Sequence, residues 1–191
     1  FSQTDFKKIK NRVVDELMEP RVDDNRIEKL LQSINEDGTW PEINYEDVSR
    51  TGFEHRFHTE NMVTLARAFQ NKSSNYYQNE AVLKTIEGAL KNWVDHDYFC
   101  ENWWHNQIGT PNNLVSLILI IGEKLPKELV EKAQPIIGRA NIDAPGARPG
   151  GDRIKISGIE AKNMLYCENA QKFDEIVKVI EGEIKFVDWV G

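Results

Sequence analysis

The chain has 191 residues, 40% of them hydrophobic and five of them tryptophan, which suits one domain with a sizeable core. A formal charge of -7 and a pI near 5.2 argue against a general nucleic-acid binder, because neutralising phosphates takes a surplus of Lys and Arg on some face. The longest apolar run, Leu114 to Ile121, is too short to cross a bilayer, and no charged start precedes a short apolar region, so a soluble, already processed chain is expected, with neither nucleic acid nor membrane as partner.

Apolar residues recur at helical spacing along almost the whole length. Phe6, Ile9, Val13 and Leu17 mark a first face, and Ile27, Leu30, Leu31 and Ile34 a second. Two more helices follow on His58, Met62, Leu65, Ala66 and Phe69, then on Val82, Ile86, Leu90 and Trp93. The nearly all-apolar segment from Leu114 to Ile121 comes next, with Thr110 read as its N-cap and Pro111 as its first helical residue. Gly122 closes that helix and Pro126 opens another, striped by Leu129, Val130, Ala133, Ile136 and Ile137. The last two carry Ile156, Ile159 and Leu165, then Phe173, Ile176, Val177, Ile180 and Ile184. About eight helices and no convincing strand alternation predict an all-α fold of stacked antiparallel hairpins, part of an incomplete α/α toroid, in one helical domain over 1–191. A plain helical bundle is the alternative. The loop from Ala144 to Gly151 is long enough to serve a function.

The most unusual segment runs from Glu101 to Pro111 and sets Trp103 and Trp104 among Asn102, His105 and Asn106. Neighbouring residues diverge by about 100° on a helix and point oppositely on an extended chain, so both indoles cannot enter one core. Flat aromatic faces suit sugar rings, and amides or a histidine beside them can pair with hydroxyls or carboxylates. Simple packing of both rings between helices is the competing reading.

Asn102-Trp103-Trp104 and Ile108-Gly109-Thr110-Pro111 resemble the Asn-Trp-Trp and Ile-Gly-x-Pro motifs of the polysaccharide lyases that include chondroitin AC lyase, hyaluronate lyase and xanthan lyase. Asp37-Gly38-Thr39-Trp40 and the helix order extend the resemblance over most of the chain. It implies an N-terminal helical fragment of a secreted or periplasmic enzyme that cleaves uronic-acid glycans by β-elimination without a cofactor. The remainder of the lyase chain and an acidic polysaccharide are the implied partners. Asn102, Trp103 and Trp104 are then expected to line the glycan cleft, with His105 and Asn106 beside them.

The family's Gly-Ala-Asn motif, whose asparagine neutralises the uronate, has Gly150-Gly151-Asp152 as its nearest counterpart here. That departure matters, because proton removal beside a carboxylate needs a donor to accept the developing charge, and an ionised aspartate cannot donate. Asp152 is a candidate catalytic residue if protonated, Arg153 is a substitute neutraliser, and Asp152 as a plain N-cap is the competing reading. Arg148 and Arg153 join the expected substrate-binding set, within a cluster that includes Arg139 and Lys155. The family's histidine and tyrosine acid and base fall just beyond Gly191, and none of Tyr45, Tyr76, Tyr77, Tyr98 or Tyr166 sits in a matching context. The chain by itself is therefore expected to be inactive.

Other chemistries have weaker support. Glu54, His55 and His58 have an imperfect metal-ligand spacing, with surface or capping histidines the plainer reading, so no metal is expected. Asp95, Asp97 and Glu101 are candidate carboxylates for an α/α glycoside hydrolase, and a non-catalytic acidic-glycan-binding module is a further alternative. Cys100 and Cys167 are too few for a disulfide framework, and their pairing is open.

Overall fold

Small polar residues start three of the first four helices. The Ser2 hydroxyl accepts from the Asp5 amide at 3.1 Å to start α1 (Gln3–Met18), and the Asp23 carboxylate accepts from Asn25 at 3.0 Å to start α2 (Asp24–Ser33). A long connection leads to α3 (His55–Gln70), and Asn79 caps α4 (Glu80–His96) through the amides of Ala81 and Val82. Beyond it lie α5 (Thr110–Ile121), α6 (Lys127–Ile137), α7 (Gly151–Tyr166) and α8 (Ala170–Asp188). The computed structural model describes residues 2–188, without the side chains of 185–188. Residues 189–191, next to the point where the resemblance puts the lyase histidine and tyrosine, lie outside the described residues. Among the described residues the fold is all-α, and no helix is long and apolar enough to cross a membrane.

Helix α5 is the centre. Every residue from Leu114 to Ile121 is buried, as expected of a helix that is apolar all round. It packs against α1, α3, α6 and α7, while α4 lies on α3 and α6, and α8 lies on α7. The Gln70 amide at the end of α3 donates to the Ile120 carbonyl at 2.9 Å, and Tyr166 at the end of α7 closes on Gly122. The N-terminal halves of α3, α5 and α7 meet around one cavity at the other end. These three helices therefore run parallel, and the intervening α4 and α6 return between them as stacked antiparallel hairpins.

The connection between α2 and α3 is a structured wall. Trp40 is fully buried and donates its indole N–H to the Leu30 carbonyl at 3.1 Å. Gly38 has φ +83°, and a Cβ there would lie 2.3 Å from the Gly88 carbonyl oxygen, so this turn needs glycine twice over. His55 and His58 are not at the surface, as the sequence reading had it, but are both completely buried. His58 Nε2 donates to the Ala89 carbonyl at 2.9 Å, which leaves Nδ1 to accept from the Tyr45 hydroxyl at 2.8 Å. That hydroxyl in turn accepts from the Trp40 amide at 3.1 Å. His55 donates to the Tyr45 carbonyl at 2.7 Å. Among the described residues no three His, Cys, Asp or Glu side chains gather as metal ligands, and Cys100, buried, and Cys167, exposed, are both free thiols.

Burial holds His58 neutral, with its pKa pushed down from 6.5 to about 4. The unfolded chain takes up this proton below pH 6.5 and the folded chain resists it. His58 therefore contributes fully to stability above that pH, and the contribution, roughly 3 kcal/mol at most, is lost as the pH falls towards 4. NMR titration of the His58 ring should show a neutral imidazole down to about pH 4; a midpoint near 6.5 contradicts the buried relay.

Candidate functional site

The segment before α5 is built by two asparagines. Asn102 starts the turn: its side-chain oxygen accepts from the Trp104 amide at 3.1 Å and its carbonyl from the His105 amide at 3.1 Å. Its amide nitrogen reaches the Arg50 carbonyl at 3.3 Å, tying the segment to the wall before α3. Asn106 is buried and fully engaged. It donates to the Cys100 carbonyl at 2.8 Å and accepts from the Cys100 amide at 3.1 Å. The expectation that Asn106 contacts substrate is corrected on that ground, since breaking this clamp would leave buried polar groups unpaired.

A π-helical turn, His105–Gly109, joins this start to α5, and the Thr110 amide reaches back to the His105 carbonyl. Thr110 is thus not an N-cap but a residue inside a continuing helix. Pro111 explains the widening, because its ring would strike the carbonyl four residues back in a regular turn and it has no N–H to offer. Gly109 is also required: a Cβ there would lie 2.9 Å from the Trp104 ring and 3.3 Å from His105 Nδ1.

The two indoles part company as adjacent helical residues must. Trp103 packs half-buried against the core beneath the loop before α7, where a Cβ on Gly146 would come within 2.6 Å of its ring. The Gly146 amide donates to Gln107 Oε1 at 3.1 Å, and the Arg148 guanidinium lies 5.8 Å over the Trp103 ring. Trp104 is 38% exposed and forms a wall of a cavity of about 450 Å³ between α3, α5 and α7. His105 stands edge-on to it at 5.3 Å and is kept towards its neutral form by burial and by Arg56.

Arg56, Lys155 and Lys162 reach this cavity from α3 and α7, with Asn112 and Asn113 on α5 and a single carboxylate, Glu60. Lys162 Nζ lies 3.4 Å from Asn112 Oδ1, and burial pulls its pKa below the usual lysine value. Asp152 and Arg153 do not line the cavity. Arg153 faces Glu183 at 3.5 Å, and Asp152 lies in the first turn of α7, where Gly150 at φ +100° holds the N-cap position and no side chain caps. The reading of Asp152 as an N-cap is therefore corrected; its charge suits the helix start in a more general way. Two of the three hydrolase carboxylates are held by cations, Asp95 by Lys91 and Lys132, and Asp97 by both terminal nitrogens of Arg139.

Sequence reasoning missed Arg56, Lys162, Asn112 and Asn113. The one available signal was Lys155 and Lys162, seven apart and so on one face of α7. Arg56 joins them only through tertiary packing.

The N-terminal halves of three parallel helices thus bring an exposed indole, amides and cations together at one cavity. The chain belongs to polysaccharide lyase family 8, matching its N-terminal alpha-helical domain over residues 4–189. It is 32% identical over 153 residues to chondroitinase-AC of Pedobacter heparinus, covering 78% of this chain and 21% of that protein. Its fold is similar to that of a chondroitinase AC lyase solved in oligosaccharide complexes, with TM-score 0.83 and 28% identity over 92% of this chain and 26% of that one. It also resembles in fold a chondroitin AC lyase of Streptomyces coelicolor, at TM-score 0.71 and 18% identity over 83% of this chain and 22% of the other. A Paenibacillus xanthan lyase aligns at TM-score 0.67 and 15% identity over 90% of this chain and 18% of the other. The chain thus spans about a fifth to a quarter of the length of these relatives.

Proposed function

We propose that this chain is the glycan-holding helical part of a polysaccharide lyase acting on a uronic-acid polymer of the chondroitin or hyaluronan type. The observation that carries the reading is Trp104, a large aromatic left exposed at the wall of a cavity that three cations also line. An indole face and fixed amides position a sugar, and the cations favour an acidic one. The names of the similar proteins support the same substrate class. A uronic-acid polysaccharide is met outside the cytoplasm, so we place the enzyme in the periplasm or beyond the cell.

In β-elimination the uronate loses its C5 proton, the electron pair forms the C4–C5 double bond, and the C4 oxygen leaves as the new chain end. The step is feasible only where the carboxylate is neutralised as charge builds on it. On this reading the helices hold the polymer, and the proton-transferring groups come from sequence beyond this chain. The resemblance puts Asp152 at the neutralising position; an aspartate there works only as a protonated donor, and Arg153 is already engaged by Glu183.

Incubated with chondroitin or hyaluronan, the longer protein should generate the ultraviolet absorbance of an unsaturated uronate, and this chain alone should not. New reducing ends without that absorbance would identify a hydrolase instead. The two tryptophans should also separate. Trp104→Ala is expected to weaken glycan binding by about 1–3 kcal/mol while changing folding stability by less than about 1 kcal/mol. Trp103→Ala is expected to lower folding stability by about 2–3 kcal/mol, as loss of a packed ring does. Calorimetric binding and chemical denaturation of both variants check this, and equal effects on folding would make both rings core.

A further inference from the structure

The arginines before and at the start of α7, Arg148 and Arg153, have partners: the Trp103 ring and Glu183. The cations of the cavity have only uncharged partners: Arg56 lies 4.5 Å over the Phe57 ring and Lys162 reaches Asn112. Among the described residues no carboxylate lies within salt-bridge distance of Arg56, Lys155 or Lys162, although Glu60 lines the same space and stands one helical turn from Arg56. Arg56 is moreover in the first turn of α3, where the helix macrodipole disfavours a cation. Three cations line one half-enclosed cavity in which Glu60 is the one carboxylate among the lining residues, and an entering anion is attracted by each of them. The floor of Ile108, Ile154 and Ile159 excludes water from one side and strengthens the attraction. A volume near 450 Å³ is within the roughly 300–1,000 Å³ typical of small-ligand pockets, and so admits one sugar unit with its acidic group.

The geometry points to an oxyanion subsite formed by Arg56, Lys155 and Lys162, which takes a carboxylate or sulfate ester of the sugar packed on Trp104. It rests on the glycan-holding reading and adds to it where the acidic group is read: in the cavity between α3, α5 and α7, and not on the loop that carries Arg148. Asn112 holds Lys162 in place, and Glu60 on the rim repels a second anion, so the pocket selects one acidic substituent per site.

The test is calorimetric binding of size-matched oligosaccharides to the 191-residue chain. The ligands are desulfated chondroitin, chondroitin 6-sulfate and a desulfated, carboxyl-reduced chondroitin without charge. Lys162→Met and Arg56→Gln should each lower affinity for the charged ligands about tenfold or more, the loss typical of a charge-assisted hydrogen bond. Lys155→Gln, on an exposed side chain, should lower it about threefold, and Lys84→Gln on the remote face of α4 should change it less than twofold. None of these variants should alter what little affinity the uncharged ligand has. Losses confined to the sulfated ligand assign the pocket to the sulfate ester, and equal losses with desulfated chondroitin assign it to the carboxylate. If Lys162→Met does not fold, Lys155→Gln carries the same test. Cavity variants no weaker than Lys84→Gln, while Trp104→Ala still weakens binding, overturn the subsite and leave the glycan reading intact. No effect from Trp104→Ala either would sink both.

Discussion

Pro111 cannot donate a backbone hydrogen bond, and its ring cannot sit under a regular helical carbonyl. The wider turn that accommodates it, from His105 to Gly109, sets where the preceding side chains point. Asn102 and Asn106 hold the entrance to this turn at fixed register, one by capping and the other by gripping Cys100 from both sides. With register and width fixed, Trp103 is driven into the packing beneath the loop before α7 and Trp104 is driven out. Gly109 and Gly146 supply the clearances that the two rings need. A change at any of these positions should be felt at Trp104 before it is felt in the core.

The periodicity of the apolar residues made all eight helices readable, because α5 and its neighbours bury whole faces and leave little freedom in pattern. The loop motif from Asp37 to Trp40 was readable too, although its reason, the contact of Gly38 with the backbone of α4, was not. Sequence failed where tertiary packing reassigns a residue. Asn106 looked like a sugar-binding amide and is a backbone clamp. His55 and His58 looked like surface groups and are buried in a relay through Tyr45. Thr110 and Asp152 have the chemistry of N-caps, yet the chain is already helical ahead of Thr110, and Gly150 with its positive φ takes the cap position ahead of Asp152. The cavity cations were invisible for a different reason: Arg56 and Lys162 are more than a hundred residues apart and meet only because α3, α5 and α7 run parallel.

The charge distribution accommodates an acidic ligand despite the net charge of -7. Some of the acidic groups are neutralised in local pairs, such as Glu80 with Lys84 and Asp174 with Lys178 along single helices. Exposed pairs of this kind contribute little stability, but they leave the unpaired cations of the cavity as the local attractor.

The most direct test of this account is an NMR titration of the indole N–H resonances with a chondroitin hexasaccharide. Trp104 is predicted to shift strongly and saturably, while Trp40 and Trp93, both completely buried, stay in place. A titration in which the ligand binds and Trp104 does not move would contradict the assignment of the exposed indole as the surface that holds the glycan.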